Sequence, residues 1–311
     1  MTGGSGFIGQ NLIASALNAN WSVTSLDCLE FDGLPHPHLT CHIGDVTHFD
    51  DVIKAMDGCS AVVHLAAQVS VQESIQNPEE TMRVNVEGTQ KVLDAAAQLG
   101  VNKILVASSA AVYGNATDLP LREGVAGECI SPYAVSKWLN EKQVMEARQQ
   151  GSNAVAFRFF NVYGLGQSVN SVYGAVIPTF VECMTARKHP SVFGDGLATR
   201  DFVHAKDVAS AILQSFDADT HPHPDHVFNV ATGDEISLLD LIRVINEILL
   251  EKGVLQKAIT PDFQPKRQGD VVKSYASIER ITQAMNWTPE INFESGVREM
   301  IDAALSKRQV D

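Results

Sequence analysis

Residues 2–9 read Thr-Gly-Gly-Ser-Gly-Phe-Ile-Gly, which places glycines at positions 3, 6 and 9. Such a loop lets backbone N–H groups approach a pyrophosphate, and the positive end of the following helix attracts the anion. Helical apolar spacing continues over residues 11–19, and a strand-like run over residues 21–26 ends at Asp27. An acid at this distance can accept both ribose hydroxyls of NAD and repels the extra phosphate of NADP. The stretch therefore predicts a dinucleotide-binding fold.

Only Met1 precedes this loop. In dinucleotide-binding folds the loop normally follows a buried strand at the centre of a parallel sheet. We therefore expect the first strand to be missing, which would leave a hole in the sheet beside the cofactor site.

The composition is that of a globular protein of 311 residues, with 45% apolar and 19% charged residues. A formal net charge of −14 argues against nucleic acid as a partner, because phosphate binding needs clustered Lys and Arg. No apolar run approaches the ~20 residues of a membrane span, and no signal peptide is visible. The five scattered cysteines lack zinc spacing, and the histidines of residues 36–38 and 221–226 lie in proline-rich turns without a second ligand set. We expect a cytoplasmic protein with reduced thiols, no metal site and no membrane partner.

Short β-rich runs alternate with helical stretches up to about residue 160, which favours βαβ units. The predicted strands span residues 21–27, 39–43, 61–65, 103–107, 154–159 and 226–230. The predicted helices span residues 49–56, 78–99, 132–149, 176–186, 205–216, 238–250 and 295–305. This order predicts an α/β fold with a Rossmann-type doubly wound parallel sheet and a smaller, discontinuous α/β substrate domain. The cofactor domain should comprise residues 1–165 and about 205–232, and the substrate domain about 166–204 and 233–311.

A second strong signal is Ser-Pro-Tyr-Ala-Val-Ser-Lys at residues 131–137. On a helix, Tyr133 and Lys137 are four residues apart and share one face. A lysine ammonium near a phenol favours the phenolate, which turns a tyrosine with an ordinary pKa near 10 into a usable base. Taken alone, the two residues are more simply explained as an ordinary pair on a helix surface, because such pairs are common.

The predicted strand at residues 103–107 runs into Ser108 and Ser109. Hydroxyls at the carboxyl end of a parallel strand open into the crevice where such sheets bind ligands, although a strand-ending turn would also use serine. The glycine loop, Asp27, the serines and the Tyr/Lys pair occur in the order that a dinucleotide-dependent active site needs, which disfavours a purely structural interpretation of all four.

These features resemble the extended short-chain dehydrogenases/reductases of the nucleotide-sugar epimerase/dehydratase family, and most of all the UDP-hexose 4-epimerases. The likeness covers nearly the whole chain. Its stretches are TGGSGFIG at 2–9, GDV at 44–46, HLAA at 64–67, Asn85 with Gly88 and Thr89, SSAAVYG at 108–114, YAVSK at 133–137, RFFNVYG at 158–164, GDGLATRDFVHAKDVA at 194–209 and RQGD at 267–270.

The resemblance implies NAD as cofactor and a UDP-sugar as substrate. It makes Ser109, Tyr133 and Lys137 the catalytic residues. Tyr133 and Lys137 would also touch the cofactor, together with Gly3, Gly6, Phe7, Ile8, Gly9, Asp27, Asp45, Val46, Leu65, Ala66 and Ala67. Ser109 and Tyr133 would touch the substrate, together with Asn161, Phe193, Arg200, Arg267, Asp270 and Ser274.

The resemblance also bears on the reaction. Dehydratases of this family carry an Asp-Glu pair after the catalytic hydroxyl and decarboxylases a Ser-Glu, whereas this chain has Ala110 and Ala111. We therefore expect 4-epimerisation of a UDP-hexose through a 4-keto intermediate, with net isomerisation. A UDP-glucuronate 4-epimerase remains an alternative, as does an inactive NAD-sensing or interaction protein.

Two further expectations follow from the family. The helices at 78–99 and 132–149 would pair with their copies as a four-helix bundle in a homodimer. They carry Val84, Val92, Leu93, Trp138, Leu139 and Val144. Ser274 would act as a small gate beside carbon 2 of the sugar, which predicts turnover of UDP-N-acetylglucosamine and UDP-N-acetylgalactosamine as well as UDP-glucose and UDP-galactose.

Overall fold

Strands and helices alternate in the computed structural model, which describes residues 1–125, 128–168, 175–217, 225–266 and 272–308. The strands are β1 (Val23–Asp27), β2 (Leu39–Ile43), β3 (Ala61–His64), β4 (Lys103–Ser109), β5 (Asn153–Phe159), β6 (Asn161–Tyr163), β7 (Ser191–Phe193), β8 (Thr199–Arg200), β9 (Phe202–His204), β10 (Val227–Val230), β11 (Ile236–Ser237) and β12 (Asp262–Gln264). The helices are α1 (Phe7–Asn18), α2 (Phe49–Met56), α3 (Val71–Gln76), α4 (Pro78–Met82), α5 (Gly88–Leu99), α6 (Pro132–Gln149), α7 (Val176–Thr185), α8 (Ala205–Asp217), α9 (Leu238–Glu251), α10 (Glu279–Met285) and α11 (Phe293–Arg308).

The main sheet is parallel and has two parts. One part pairs β1 with β2, and the other has the order β10-β5-β4-β3. Neighbouring residues of β4 point to opposite faces, so that Leu105 packs towards α1 and α8 while Ile104 packs towards α2, α5 and α6. Burial on both faces explains why β4 reads as a continuous apolar run, as is typical of strands in a parallel sheet covered by helices.

Met1 and Thr2 stand where the first strand of the sheet is expected. Thr2 makes parallel bridges to Leu26 of β1 and His64 of β3, and so joins the two parts of the sheet. The Met1 ammonium donates to the Thr24 carbonyl oxygen at 2.6 Å, and burial lowers the pKa of this amino group. A groove of about 380 Å³ begins beside Met1 and is lined by Leu12, Trp21, Val23, Ala61, Val63 and Phe216. This groove lies at the amino-terminal ends of β1 and β3, away from the glycine loop.

A second core lies among α7, α9 and α11. Its buried residues include Ile177, Phe180, Leu241, Ile245 and Ile301. Three two-stranded sheets surround it, with β6 and β9 parallel, β7 and β12 parallel, and β8 and β11 antiparallel. This second core fits the expected smaller α/β unit, whose exact boundaries stay a prediction.

The helix predicted at residues 78–99 is interrupted. A π-helical segment at Arg83–Glu87 separates α4 from α5. Within it, the Asn85 carbonyl oxygen accepts the Thr89 hydroxyl at 2.6 Å and the Asn140 side-chain amide at 2.7 Å. Side chains that take over a backbone acceptor in this way accompany a widened helical turn. Apolar spacing alone does not reveal such an insertion.

Candidate functional site

The glycine loop lies between β1, β3 and α1. Gly3 has a positive φ of 74°, and a Cβ atom there would come within 2.7 Å of the Ala66 backbone nitrogen. A Cβ atom at Gly9 would lie 2.1 Å from the Gly3 carbonyl oxygen. Gly6 precedes α1 as a cap without a side-chain acceptor, so the first N–H groups of the helix, including those of Phe7 and Ile8, are not capped by a side chain. Tight glycine packing beneath such a helix end fits a bound pyrophosphate.

The segment after β3 forms the other wall of the loop. The Leu65 N–H donates to the Thr2 carbonyl oxygen at 3.2 Å, and the Ala66 N–H donates to the Thr2 hydroxyl at 3.2 Å. These bonds hold Leu65 and Ala66 against Gly3, and Ala67 follows directly. The family resemblance predicts that Ala66 and Ala67 border the cofactor's ribose and phosphates.

Asp27 lies at the carboxyl end of β1. Its carboxylate accepts the N–H groups of Ser5 at 2.9 Å and Leu29 at 3.0 Å. A cavity of about 320 Å³ opens beside it and is lined by Leu29, Phe31, Leu34, Pro35, His36 and Ile43. Asp27 thus lines a cavity with both apolar and polar walls at the carboxyl end of β1.

Asp45 and Val46 follow β2. Burial raises the pKa of Asp45, but hydrogen bonds from the Thr47 N–H and hydroxyl and the charge of Arg83 outweigh it and hold the pKa below its usual range. The Val46 side chain is buried in the core between the sheet and α5. Only the main chain of Val46 is therefore placed to border an adenine.

Ser109, Tyr133 and Lys137 meet at the carboxyl end of β4. Ser131 caps α6 by accepting the Ala134 N–H at 3.1 Å, and Pro132 occupies the first turn, which sets where the helix begins. One turn into the helix, Lys137 donates to the Ala107 carbonyl oxygen at 2.8 Å, and its Nζ lies 6.0 Å from the centre of the Tyr133 ring. The Tyr133 phenol lies beside the Ser109 side chain, which lowers the pKa of the phenol. The predicted catalytic set is thus brought together.

The pKa values of Tyr133 and Lys137 differ from those that the sequence predicts. Burial raises the pKa of Tyr133, and the hydrogen bond with Ser109 lowers it only in part. Burial also lowers the pKa of Lys137 to about 8. The expected net depression of the tyrosine pKa by the lysine is not found, because desolvation, which a sequence does not display, dominates both groups.

The residues expected to hold the UDP half come from several short strands. Asn161 begins β6 and donates its side-chain amide to the Asp201 carbonyl oxygen at 2.9 Å. Arg200 ends β8 and is half-buried, and Phe193 ends β7 with 37% of its surface exposed. The Ser274 carbonyl oxygen accepts the Asp201 N–H at 2.9 Å. Arg267 and Asp270 lie outside the described residues.

Asp201 is a residue that the sequence analysis missed. It is fully buried, and burial raises the pKa of its carboxyl group. Its carboxylate accepts the Thr232 N–H and hydroxyl at 2.8 and 2.7 Å, the Gly233 N–H at 2.9 Å and the Ala276 N–H at 3.2 Å. The carboxylate thereby joins Thr232 and Gly233 to Ala276, while the backbone of Asp201 is hydrogen-bonded to Asn161 and Ser274. The sequence signal that could have revealed Asp201 is its position directly after Arg200 in the stretch GDGLATRDFVHAKDVA at 194–209.

Within the described ranges, no group of three or more His, Cys, Asp or Glu residues is arranged to hold a metal ion. Nor does that part of the chain contain a helix long and apolar enough to cross a bilayer.

Together, the fold and this site define a Rossmann-type dinucleotide-binding protein with a Ser/Tyr/Lys set at the end of β4. The chain belongs to the NAD dependent epimerase/dehydratase family, which matches residues 1–231. The UDP-glucose 4-epimerase of Mycolicibacterium smegmatis is 30% identical over 320 residues, with 99% of each chain covered. The predicted family, the Rossmann-type fold and the NAD-dependent class of enzyme are confirmed.

Two solved structures extend the likeness. The UDP-N-acetylglucosamine 4-epimerase from Methanobrevibacter ruminantium, in complex with UDP-N-acetylmuramic acid, has a TM-score of 0.90 and 30% identity, covering 98% of this chain and 97% of that one. The Thermus thermophilus UDP-glucose 4-epimerase, in complex with NAD, has a TM-score of 0.84 and 28% identity, with coverage of 98% and 97%.

Proposed function

We propose that this chain catalyses the NAD-dependent 4-epimerisation of a UDP-hexose. The observation that carries the proposal is the meeting of Ser109 and Tyr133 at the end of β4, with Lys137 one turn further along α6. The two positions after Ser109 are Ala110 and Ala111, so no acid or base for elimination follows the serine. The activities named for the relatives above support the same reaction.

The protein's own residues account for the proton transfer. Tyr133, as phenolate, takes the proton of the hexose 4-hydroxyl, and Ser109 bridges that hydroxyl and the phenol. Because burial raises the pKa of Tyr133, the phenolate needs positive charge nearby. Lys137 supplies one such charge while its Nζ is anchored on the Ala107 carbonyl oxygen.

The residues around the glycine loop fit NAD. Gly3, Gly6, Phe7, Ile8 and Gly9 would hold the pyrophosphate, Asp27 the adenosine ribose, and Lys137 the nicotinamide ribose. When bound, NAD supplies the acceptance and return of hydride at carbon 4 and a positive ring beside the phenol. The Asp45–Val46 main chain and residues 65–67 would border the remaining cofactor surface.

The UDP half would be held by the second unit. In an acidic chain, charge-assisted bonds from Arg200 and Arg267 are suited to the two phosphates. Asp270 would accept a ribose hydroxyl, Asn161 would meet the substrate from β6, and Phe193 would pack on the uracil. With Ser274 beside the sugar, the proposed substrates include the N-acetylated pair as well as UDP-glucose and UDP-galactose.

The test is the Tyr133→Phe variant assayed by chromatography on both sugar pairs and on UDP-glucuronate. Removing the phenolic hydroxyl should lower kcat by about 10²–10⁴-fold while NAD stays bound, because a phenyl ring cannot take the proton. Tyr163→Phe is the matched control, since that buried tyrosine lies in the second core. Near-normal turnover by Tyr133→Phe would remove this residue from the mechanism.

A further inference from the structure

Helix α6 holds the end of β4 at three successive turns. Tyr133 lies beside Ser109, and Lys137 donates to the Ala107 carbonyl oxygen at 2.8 Å. One turn further, Glu141 accepts the Ser108 hydroxyl at 2.6 Å. The spacing of four residues places all three side chains on the face that meets the strand.

Glu141 is itself held by a buried arginine from β5. Arg158 donates from Nε and from a terminal nitrogen to the two carboxylate oxygens, both at 2.8 Å. The side chains of Arg158 and Glu141 are only 3% and 6% exposed. A bidentate pair of this kind in a dry surrounding has one well-defined geometry.

The same arginine reaches the turn that follows Ser109. Its guanidinium lies 4.6 Å from the centre of the Tyr113 ring, and Tyr113 ends the 3₁₀ turn that Ser109 caps. The Tyr113 hydroxyl donates to Asn229 at 2.6 Å, which fixes the ring from its other end. Ser109 is therefore held on its amino-terminal side through Ser108 and on its carboxyl-terminal side through Tyr113.

We propose that Glu141, fixed by Arg158, is a positioning residue that sets the Ser109 hydroxyl opposite Tyr133 by way of Ser108. This inference rests on the proposed function, in which Ser109 and Tyr133 act on one sugar hydroxyl. Displacing a reacting group by about 1 Å can cost about 10²-fold in rate, so a small shift of β4 matters.

Ser108→Ala is the sharpest test, because it removes one hydroxyl and leaves the Glu141–Arg158 pair intact. We expect kcat to fall by about ten- to a hundredfold with KM and NAD affinity unchanged. Adding Ser109→Ala to the Ser108→Ala variant should lower kcat by a smaller factor than Ser109→Ala lowers it in the natural chain. Ser215→Ala, which loses a buried hydroxyl bonded to the Ile212 carbonyl oxygen at 2.7 Å in α8, is the control. Independent effects of the two serine variants, or an unchanged kcat for Ser108→Ala, would overturn the proposal.

A second readout does not depend on the sugar. Ultraviolet difference titration of each protein against its Tyr133→Phe counterpart reports the pKa of the Tyr133 phenol. Because the Ser109 hydrogen bond lowers that pKa, Ser108→Ala should raise it and Ser215→Ala should leave it unchanged. A shift without turnover of any UDP-hexose by the natural chain would support the positioning role and refute the proposed reaction. An unchanged titration would refute the positioning role even if epimerisation is found.

Discussion

At the scale of single residues, Ser274 is the position on which the proposed substrate range depends. It lies in the segment that Asp201 ties to β8, and its side chain is half-buried. The family resemblance predicts that this position borders carbon 2 of the sugar, where a tyrosine would fill the space of an acetamido group. On this proposal, a serine would leave that space open and would offer a hydroxyl to the acetamido group.

Ser274→Tyr should therefore lower kcat/KM on the N-acetylated pair while largely sparing UDP-glucose and UDP-galactose. Overfilling a packed pocket costs about 1–3 kcal/mol, which corresponds to about a ten- to two-hundredfold selective loss. The assay compares both sugar pairs, with Ser274→Ala as the variant that stays small. An equal loss on both pairs, or a natural chain inactive on acetylated sugars, would contradict the gate.

Some site residues can be found from the sequence because their partners lie at a characteristic spacing in the chain, and others cannot. Tyr133 and Lys137 are visible because four residues on a helix always share a face. Asp201 and Glu141 are harder to find, since their partners are Ala276 and Arg158, which lie far away in the chain. The raised pKa of Tyr133 was missed for a related reason, because burial results from packing that a local motif does not contain.

At the scale of elements, the outer faces of α5 and α6 bear on assembly. Val92, Leu93 and Val144 are buried in the core of one chain and are not free to meet a partner. Val84, Trp138 and Leu139 are only half-buried. An interface between copies of these helices would therefore depend on the second group and would be more polar than the sequence suggested.

The homodimer remains a prediction with a direct test. Light scattering at micromolar concentration should give twice the mass of one chain. Leu139→Arg should shift that mass towards the monomer, because it places a charge at the centre of the proposed four-helix bundle. Leu250→Arg, on a partly exposed residue of α9, is the control. A monomeric mass for the natural chain would rule out the proposed assembly.

The long elements were predictable and the short ones were not. Residues 132–149 have the predicted bounds because a capped helix carries its own start signal, here Ser131 and Pro132. Residues 39–43 also have the predicted bounds, although no residue of β2 is buried. Strands such as β8 and β11 are two residues long and exist because the chain brings Arg200 and Ile236 together. Such pairings depend on tertiary structure, which local periodicity does not report.

At the scale of the whole molecule, His64 links three parts of the fold. Its Nδ1 lies 2.7 Å from the Thr2 hydroxyl and its Nε2 lies 2.9 Å from the Thr89 hydroxyl. Burial, followed by the charge of Lys137, lowers the pKa of His64 to about 3. The imidazole therefore stays neutral in the folded protein between about pH 3 and pH 6.5, where the same imidazole is protonated in the unfolded chain.

This difference makes stability depend on pH in a defined window. Neutral His64 makes its full contribution to the free energy of unfolding above the unfolded pKa of 6.5. This contribution is lost as pH falls from 6.5 towards 3, because the unfolded chain then binds a proton that the folded chain does not. Between pH 7 and pH 5, His64 should account for about 2 kcal/mol of lost stability. Urea unfolding at both pH values should show a smaller loss for His64→Gln than for the natural chain. His38→Gln, at an exposed position, should behave like the natural chain, and an equal loss in all three proteins would contradict the assignment.

The carboxylate of Asp201 also has a consequence for affinity. A loop or a long side chain that becomes ordered only on binding costs about 0.5–1.5 kcal/mol for each immobilised group. Four hydrogen bonds to Asp201 order the segments of Arg200 and Ser274 while the protein folds. The entropy of ordering them is therefore lost during folding rather than during association. A ligand that meets this preorganised surface keeps more of its contact energy as affinity.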